Sequence, residues 1–344
     1  MPMLESKPLK IVLLSRLKVH GEVFYEKLSK RHKVFWVGWR FPYSLNFFNA
    51  PFLMLYEFFY LAHFHETKSR GQTSIIFVHF ISFDALVAVL FKKVCGHKVI
   101  LYAIGSDVLG IRNAVQQRFL KWLLPKVDQV LCINGDIENQ IRKIRNNGVV
   151  TIPPTFLEPN MEVYNGEKEY DAISMGQLTT LKMHSMLIHS CQYMKYGKTL
   201  AIVGDGPCKD YLTSLAKECQ NHKILLLGNI QHEKVWVELQ KARIYVHTSL
   251  REGIPASILE AIWCELPIIA VKASYTEDLT NLYGFKVVIV EERSPRSLAV
   301  AIEEVLRNYE VYRQMAKLNK KLLRDIIKEW DYKIERILYR TYFN

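Results

Sequence analysis

Short uninterrupted hydrophobic runs alternate along this chain with longer stretches in which apolar positions recur at helical spacing. Lys10-Ile11-Val12-Leu13-Leu14-Ser15 predicts a first buried strand, followed by a loop over 16–21 and a helix over 22–30. Val34-Phe35-Trp36-Val37 predicts a second strand and residues 74–79 a third, with a helix over 83–94 behind it. Residues 98–103 and 129–133 supply strands four and five, with a helix from about 113 between them. Strands apolar on both faces belong in a sheet covered on both sides, and their alternation with helices makes that sheet parallel. Residues 148–166, with Pro153, Pro154 and Pro159, interrupt the pattern and read as a linker. Five more strands follow at 171–175, 200–203, 224–227, 244–246 and 267–270. The expected fold is therefore α/β, with two Rossmann-like doubly wound domains facing an interdomain cleft. The first spans 1–152 and the second 168–325, joined by a linker at 153–167, with a closing helix at 326–344. Ligands of such sheets bind beyond the carboxyl ends of the strands.

Two segments raise the question of membranes. Residues 47–64 are the most aromatic part of the chain, but Asn49, Pro51, Glu57 and His63 interrupt them well short of the ~20 apolar residues that span a bilayer. Over 51–66 the segment is apolar almost all round and lacks lysine and arginine, which predicts a buried helix rather than one lying in lipid. Over 112–126, Val115, Phe119, Trp122 and Leu123 predict one packed face, with Arg112, Arg118 and Lys121 on a solvated side.

Charge sharpens this picture. The net charge of +12 sits in the first half, where residues 1–150 hold 21 Lys and Arg against 10 Asp and Glu, while the remainder holds 25 against 24. No nucleic-acid module accompanies the excess, so nucleic acid is not an expected partner. An anionic membrane surface or a phosphate-bearing acceptor fits it, and so does a general solubilising excess. The six cysteines are scattered without a Cys-x-x-Cys pair, and no N-terminal signal precedes them. The expectation is reduced thiols in a cytoplasmic, membrane-associated chain, with no zinc site.

Candidate chemistry concentrates in Ser249-Leu250-Arg251-Glu252-Gly253-Ile254-Pro255-Ala256-Ser257-Ile258-Leu259-Glu260-Ala261. Glu252 falls at a strand-to-helix junction and Glu260 within the helix that Pro255 opens. The unpaired amides and dipole of a helix N-terminus favour phosphate, and the two carboxylates are placed to accept hydrogen bonds from a sugar and from a ribose. Two further strand exits have donor-site chemistry. Val203-Gly204-Asp205-Gly206-Pro207 is a tight turn permitting close backbone approach, and Met175-Gly176-Gln177-Leu178 with Lys182 offers a cation to a diphosphate.

Taken in order, these pieces resemble the retaining GT-B glycosyltransferases of family four. The resemblance runs from Gly176 and Lys182 through IVGDGP (202–207) and LLLGNI (225–230) to REGIPASILEAIWCELPIIA (251–270) and the C-terminal Glu329-Trp330-Asp331-Tyr332 helix. It implies that Glu252 contacts the donor sugar, with Arg251, Gly253 and Ile254 at the diphosphate, Glu260 at the ribose, and Asn229 and Ile230 near the base. Lys182 would neutralise charge on the departing nucleoside diphosphate. Gly21, Gly176, Gln177, Gly204, Asp205 and Gly206 complete the expected donor site. Asp107 is a candidate catalytic group and equally a turn cap. His79 is a possible cleft neighbour, more simply a core histidine. The chain departs from the family at Gln177, where an arginine is usual, at Ile104, where a histidine is usual, and at His20-Gly21, which offers one glycine of a usual pair. The implied activity is retaining transfer of a sugar from a nucleotide-diphosphate sugar to a carbohydrate or lipid-linked acceptor, with no metal and no cofactor. A sugar-nucleotide epimerase of the same architecture and an inactive GT-B scaffold are the alternatives.

Overall fold

The computed structural model describes residues 7–15, 18–38, 50–69, 71–110, 114–159, 161, 163–196, 198–219 and 221–343. Arg16, Arg112 and the Phe47 to Asn49 end of the aromatic stretch lie outside them. The chain divides into two compact units, Met1–Leu157 with Lys328–Asn344, and Glu158–Ile327.

Unit 1 holds a six-stranded parallel sheet in the order β2-β1-β3-β4-β5-β6, from β1 (Lys10–Ser15), β2 (Lys33–Gly38), β3 (Ile75–His79), β4 (Lys98–Ala103), β5 (Gln129–Cys132) and β6 (Val149–Thr151). Ile11 to Leu14 and Ile75 to Val78 are fully buried, as strands covered on both faces require. Its helices are α1 (Lys18–Ser29), α2 (Ala50–Phe64), α3 (Asp84–Cys95), α4 (Ser106–Leu109), α5 (Ala114–Leu123) and α6 (Gly135–Arg142). Asn134 starts α6 by accepting the Ile137 N–H at 3.0 Å, and Gly96 ends α3 in the left-handed region. Connections from β2 to β3, β3 to β4 and β4 to β5 all advance the same way across the sheet. Right-handed crossovers therefore put α2, α3 and α5 on one face and α1 on the other. The α1 face is closed by the end of the long C-terminal helix: Trp330 is buried edge-on to Phe24 at 5.4 Å, with Lys27 Nζ 4.7 Å above its ring and 2.8 Å from Asp331.

Unit 2 repeats the plan. Its parallel order is β12-β11-β10-β7-β8-β9, from β7 (Tyr170–Met175), β8 (Thr199–Val203), β9 (Lys223–Gly228), β10 (Ala242–His247), β11 (Ile268–Val271) and β12 (Val288–Val290). Around it lie α7 (His184–Ser190), α8 (Lys209–Glu218), α9 (His232–Gln240), α10 (Ala256–Trp263), α11 (Ser274–Glu277) and α12 (Pro295–Arg307), before α13 (Tyr309–Phe343). Ser294 caps α12 by accepting the Ser297 N–H at 3.1 Å, with Pro295 at its first position.

Several expectations need correction. Val149 to Thr151, at the end of the expected first domain, is an edge strand that the pattern did not announce, and Val288 to Val290 adds a sixth strand to unit 2; each has only three residues, too few for an alternating pattern. The loop expected over 16–21 is helical from Lys18. The aromatic helix is not buried all round: Leu61 and Phe64 are covered, whereas Leu55, Tyr56 and Phe59 face solvent. In α5 the packed side is Leu120 and Leu123, and Val115 and Trp122 are exposed. A helix laid on a sheet covers about one stripe, and here each apolar helix has more apolar surface than its stripe can hide.

Candidate active site

Unit 2 has its topological switch point between β7 and β10: from β7 the chain proceeds outward through β8 and β9, then returns to β10 on the other side. Exit loops diverge there and leave a crevice beyond the carboxyl ends. Lys182 leaves β7 and Glu252 leaves β10, seventy residues apart, and the fold joins them as an ion pair. The joint is made by backbone as well as charge. Thr180–Lys182 forms a 3₁₀ turn, Thr248 Oγ1 donates to the Lys182 carbonyl at 2.7 Å, and the Leu250 N–H donates to Leu181 O at 2.8 Å.

Beneath the pair lies a buried histidine. His247 ends β10 with Nε2 3.8 Å from Glu252 Oε1 and Nδ1 3.3 Å from the Tyr245 hydroxyl, and its ring is edge-on to Tyr275 at 5.4 Å. Burial would push the Glu252 carboxyl up, but His247 and the Lys182 ammonium together outweigh it and hold the group down to about 2. The same burial lowers His247 against the pull of Glu252. His184, also buried, is lowered to about 4 by burial and by the nearby His247 and Lys182. The floor is thus two buried imidazoles, both lowered by burial, beneath one carboxylate and one ammonium. Neither His247, His184, Tyr245 nor Tyr275 was picked out from sequence. The usable signal was a histidine closing a strand five residues before a turn glutamate.

Glu260 sits on α10 with its side chain 13% exposed and His232 Nε2 3.8 Å away. Burial raises its carboxyl to about 7. Both glutamates act on the buried Tyr245 hydroxyl, which burial raises first and Glu260 and Glu252 raise further. The glycines of the second strand exit serve loop packing. A Cβ on Gly204 would stand 1.9 Å from Gly176 O, and one on Gly206 2.6 Å from Leu178 O. They let two exit loops of the sheet lie against each other, tied by Gly176 N–H to Val203 O at 3.0 Å and Leu178 N–H to Asp205 O at 2.9 Å. Asp205 accepts its neighbour Gly206 N–H at 2.8 Å and pairs with Lys209. Gln177, Arg251 and Asn229 are exposed at the same strand ends, Gly253 and Ile230 are half-buried, and Ile254 is buried at the start of α10.

The candidates in unit 1 have structural work of their own. Asp107 is buried and accepts the N–H groups of Ile81 at 3.0 Å, Gly105 at 2.8 Å and Ile104 at 3.3 Å. A carboxylate engaged by three amides across two strand exits serves as a cap, one of the two readings its position allowed. Gly21 lies inside α1, where a Cβ would meet Ser15 Oγ at 2.7 Å and Trp36 Cζ2 at 2.8 Å, so its absent side chain serves helix packing. His79 is a core histidine, stacked on Tyr102 and 2.9 Å from Ser15 Oγ. Among the described residues, His65, Cys95 and His97 bring ligand atoms within 4.8 Å of one another. The Ser74 N–H donates to His97 Nδ1 at 3.2 Å, so the ring proton is assigned to Nε2, which points at His65 Nδ1 3.2 Å away. A protonated nitrogen is no metal ligand, and the group is a hydrogen-bonded histidine pair.

Two doubly wound units, each built on a six-stranded parallel sheet, give the chain the GT-B fold. Residues 160–322, most of unit 2, match the family described as glycosyl transferases group 1, and the chain is an enzyme that transfers sugars. It is 23% identical over 255 residues to an uncharacterized glycosyltransferase of Methanocaldococcus jannaschii, covering 74% of this chain and 71% of that one. It is 25% identical over 244 residues to the N-acetylgalactosamine-N,N'-diacetylbacillosaminyl-diphospho-undecaprenol 4-alpha-N-acetylgalactosaminyltransferase of Campylobacter jejuni, covering 65% and 63%. Its fold matches a sucrose-phosphate synthase from Thermosynechococcus elongatus with a TM-score of 0.78 at 16% identity, over 98% of this chain and 99% of that one.

Proposed function

We propose that this enzyme moves a sugar from a nucleoside diphosphate donor to a lipid-linked, phosphate-bearing acceptor, with retention at the anomeric carbon and without a metal. The observation that carries the reading is the Lys182–Glu252 pair above His247 at the switch point of unit 2. When the glycosyl C–O bond breaks, its electron pair stays on the diphosphate. Lys182 supplies the compensating positive charge, together with the amides at the start of α10. Glu252, ionised across the working pH range, accepts hydrogen bonds from sugar hydroxyls, and Glu260 accepts them from the ribose. The acceptor class is supported by the Campylobacter relative, whose name specifies a diphospho-undecaprenol-linked sugar, and by the basic balance of residues 1–150.

Turnover with UDP-, GDP- and ADP-sugars, with and without acceptor and chelator, tests this in wild type, Glu252→Gln and Lys182→Ala. Each substitution is expected to lower kcat/KM by roughly 10²-fold, the scale of losing one preorganised electrostatic contact. Chelation is expected to change nothing. Variants as active as wild type would remove both assigned roles, and conversion of donor to an isomer with no acceptor present would mark an epimerase instead.

A further inference from the structure

Unit 1 carries an exposed apolar surface that its own packing does not use. On α2, Leu55 and Phe59 are 53% and 62% exposed; on α3, Leu90 and Val94 are 44% and 72%; on α5, Val115 and Trp122 are 73% and 46%. Within each helix the two residues stand four or seven apart, so each pair lies on one side of its helix. All three helices cover the same face of the sheet, and aromatic rings join them: Phe58 meets Phe91 at 5.4 Å between α2 and α3, and Phe83 meets Phe119 at 6.1 Å between α3 and α5. The exposed apolar residues of the three helices therefore lie on the same side of unit 1. A single exposed leucine is ordinary, but large apolar residues exposed on three neighbouring helices of one face point to a contact.

Its charges indicate what makes the contact. Among the described residues of these helices and the turns that close them, the exposed cations are Lys68, Lys93, Arg118, Lys121 and Lys126, against a single exposed acid, Glu66. Lys93 stands three residues from Leu90, and Arg118 three from Val115, on the sides that carry the apolar residues. Lys126 Nζ lies 4.4 Å from the Trp122 ring. Such lysines and arginines lay their stems along apolar surface and present the charge at its rim. A second copy of the chain is a poor occupant, because a two-fold interface would bring this basic rim against itself. An anionic bilayer fits both parts, taking leucine, phenylalanine and tryptophan into the headgroup boundary and the rim against lipid phosphates.

We infer that the α2–α3–α5 face of unit 1 docks on an anionic membrane surface. The docking deepens the lipid-linked acceptor reading above, on which it rests for its purpose, by naming the face that meets the membrane. The helices lie in the surface and do not cross it, consistent with none of the described helices being long and apolar enough to span.

Co-sedimentation of the full-length chain with extruded vesicles tests the inference. One set is phosphatidylcholine alone; the other includes about one third phosphatidylglycerol, enough for a negative surface potential. Wild type is expected to pellet with the anionic set and be released by high salt. Phe59→Glu combined with Leu90→Glu is expected to lower partitioning by roughly tenfold or more. Both positions face solvent, so the variant is expected to keep its circular dichroism and its nucleotide-induced thermal shift. Lys93→Glu with Arg118→Glu, which leaves the apolar residues alone, is expected to weaken the anionic binding as well. Wild type remaining in the supernatant, or both variants binding as wild type does, would overturn the inference. So would a wild-type dimer that the Phe59→Glu and Leu90→Glu chain cannot form. Transfer to a water-soluble acceptor, measured without vesicles, reports separately on the enzymatic reading, since that readout does not depend on the docking face.

Discussion

At the scale of single residues, the two glutamates have been pushed in opposite directions by their surroundings. Glu252 is held down to about 2, so it contributes stability above the ordinary carboxylate range that is lost as pH falls from about 4.5 toward 2. Glu260 is raised to about 7 by burial, so it costs stability, and the cost accumulates as pH rises from about 4.5 to 7 and stays constant above. Glu260→Gln is therefore expected to raise the melting temperature at pH 8, by on the order of 1–3 kcal/mol of stability, with no gain at pH 4. Its nucleotide affinity should fall at the same time, a stability–function exchange at a binding residue. In wild type, nucleotide affinity should strengthen as pH rises through about 7, because a ribose hydroxyl donates a stronger, charge-assisted hydrogen bond to the carboxylate than to its protonated form; calorimetry in buffers of different ionisation enthalpy would detect the released proton. For the other glutamate, His247 is lowered by burial and further by Lys182, so Lys182→Ala removes the second of these and leaves Glu252 to attract a proton onto that ring. The imidazole is expected to titrate higher in the variant, read by NMR, and the chain to lose about 1–3 kcal/mol.

Among the elements, the strand-exit loops of unit 2 depend on missing side chains. Gly204→Ala must displace the backbone at Gly176, and a cost of about 3 kcal/mol or more is expected in chemical denaturation. Gly96→Ala, also at positive φ but with open space around it, should cost only about 1 kcal/mol. This contrast also shows what could be read from the chain. The long apolar runs of β1, β3 and β4 declared themselves, because a strand buried on both faces needs nothing from its neighbours to be recognisable. The three-residue strands β6 and β12 did not, since pairing to an existing sheet edge, and not local pattern, makes them strands. Gly204 and Gly206 were legible as unusual backbone and illegible as loop-to-loop contacts. Glu252 and Lys182 were each visible as site chemistry, but their pairing is a product of the switch point. His247 was hidden because a buried histidine ending a strand looks the same in sequence whether it fills a core or supports a carboxylate. The exposed sides of α2 and α5 were misread for the opposite reason: apolar residues all round a helix say how much it can bury, not how much the sheet has room to cover.

At the scale of the whole chain, unit 1 is not a contiguous piece of sequence. Residues 328–344 return to it, and Trp330, His32 and Glu335 tie them in, with His32 Nε2 3.1 Å from Glu335. Trp330→Ala is expected to cost about 3–5 kcal/mol by leaving a cavity beside Phe24, and unit 1 should be the part that loosens in hydrogen exchange. The claim on which the rest depends is that unit 2 holds a nucleoside diphosphate sugar with Lys182 on the diphosphate and Glu252 on the sugar. Calorimetric titration of wild type, Glu252→Gln and Lys182→Ala with a nucleotide sugar and with the corresponding nucleoside diphosphate separates those contacts. Glu252→Gln is predicted to lose roughly tenfold or more in affinity for the nucleotide sugar while keeping its affinity for the nucleoside diphosphate, and Lys182→Ala to weaken for both. Equal nucleotide-sugar affinity in wild type and Glu252→Gln would contradict the account.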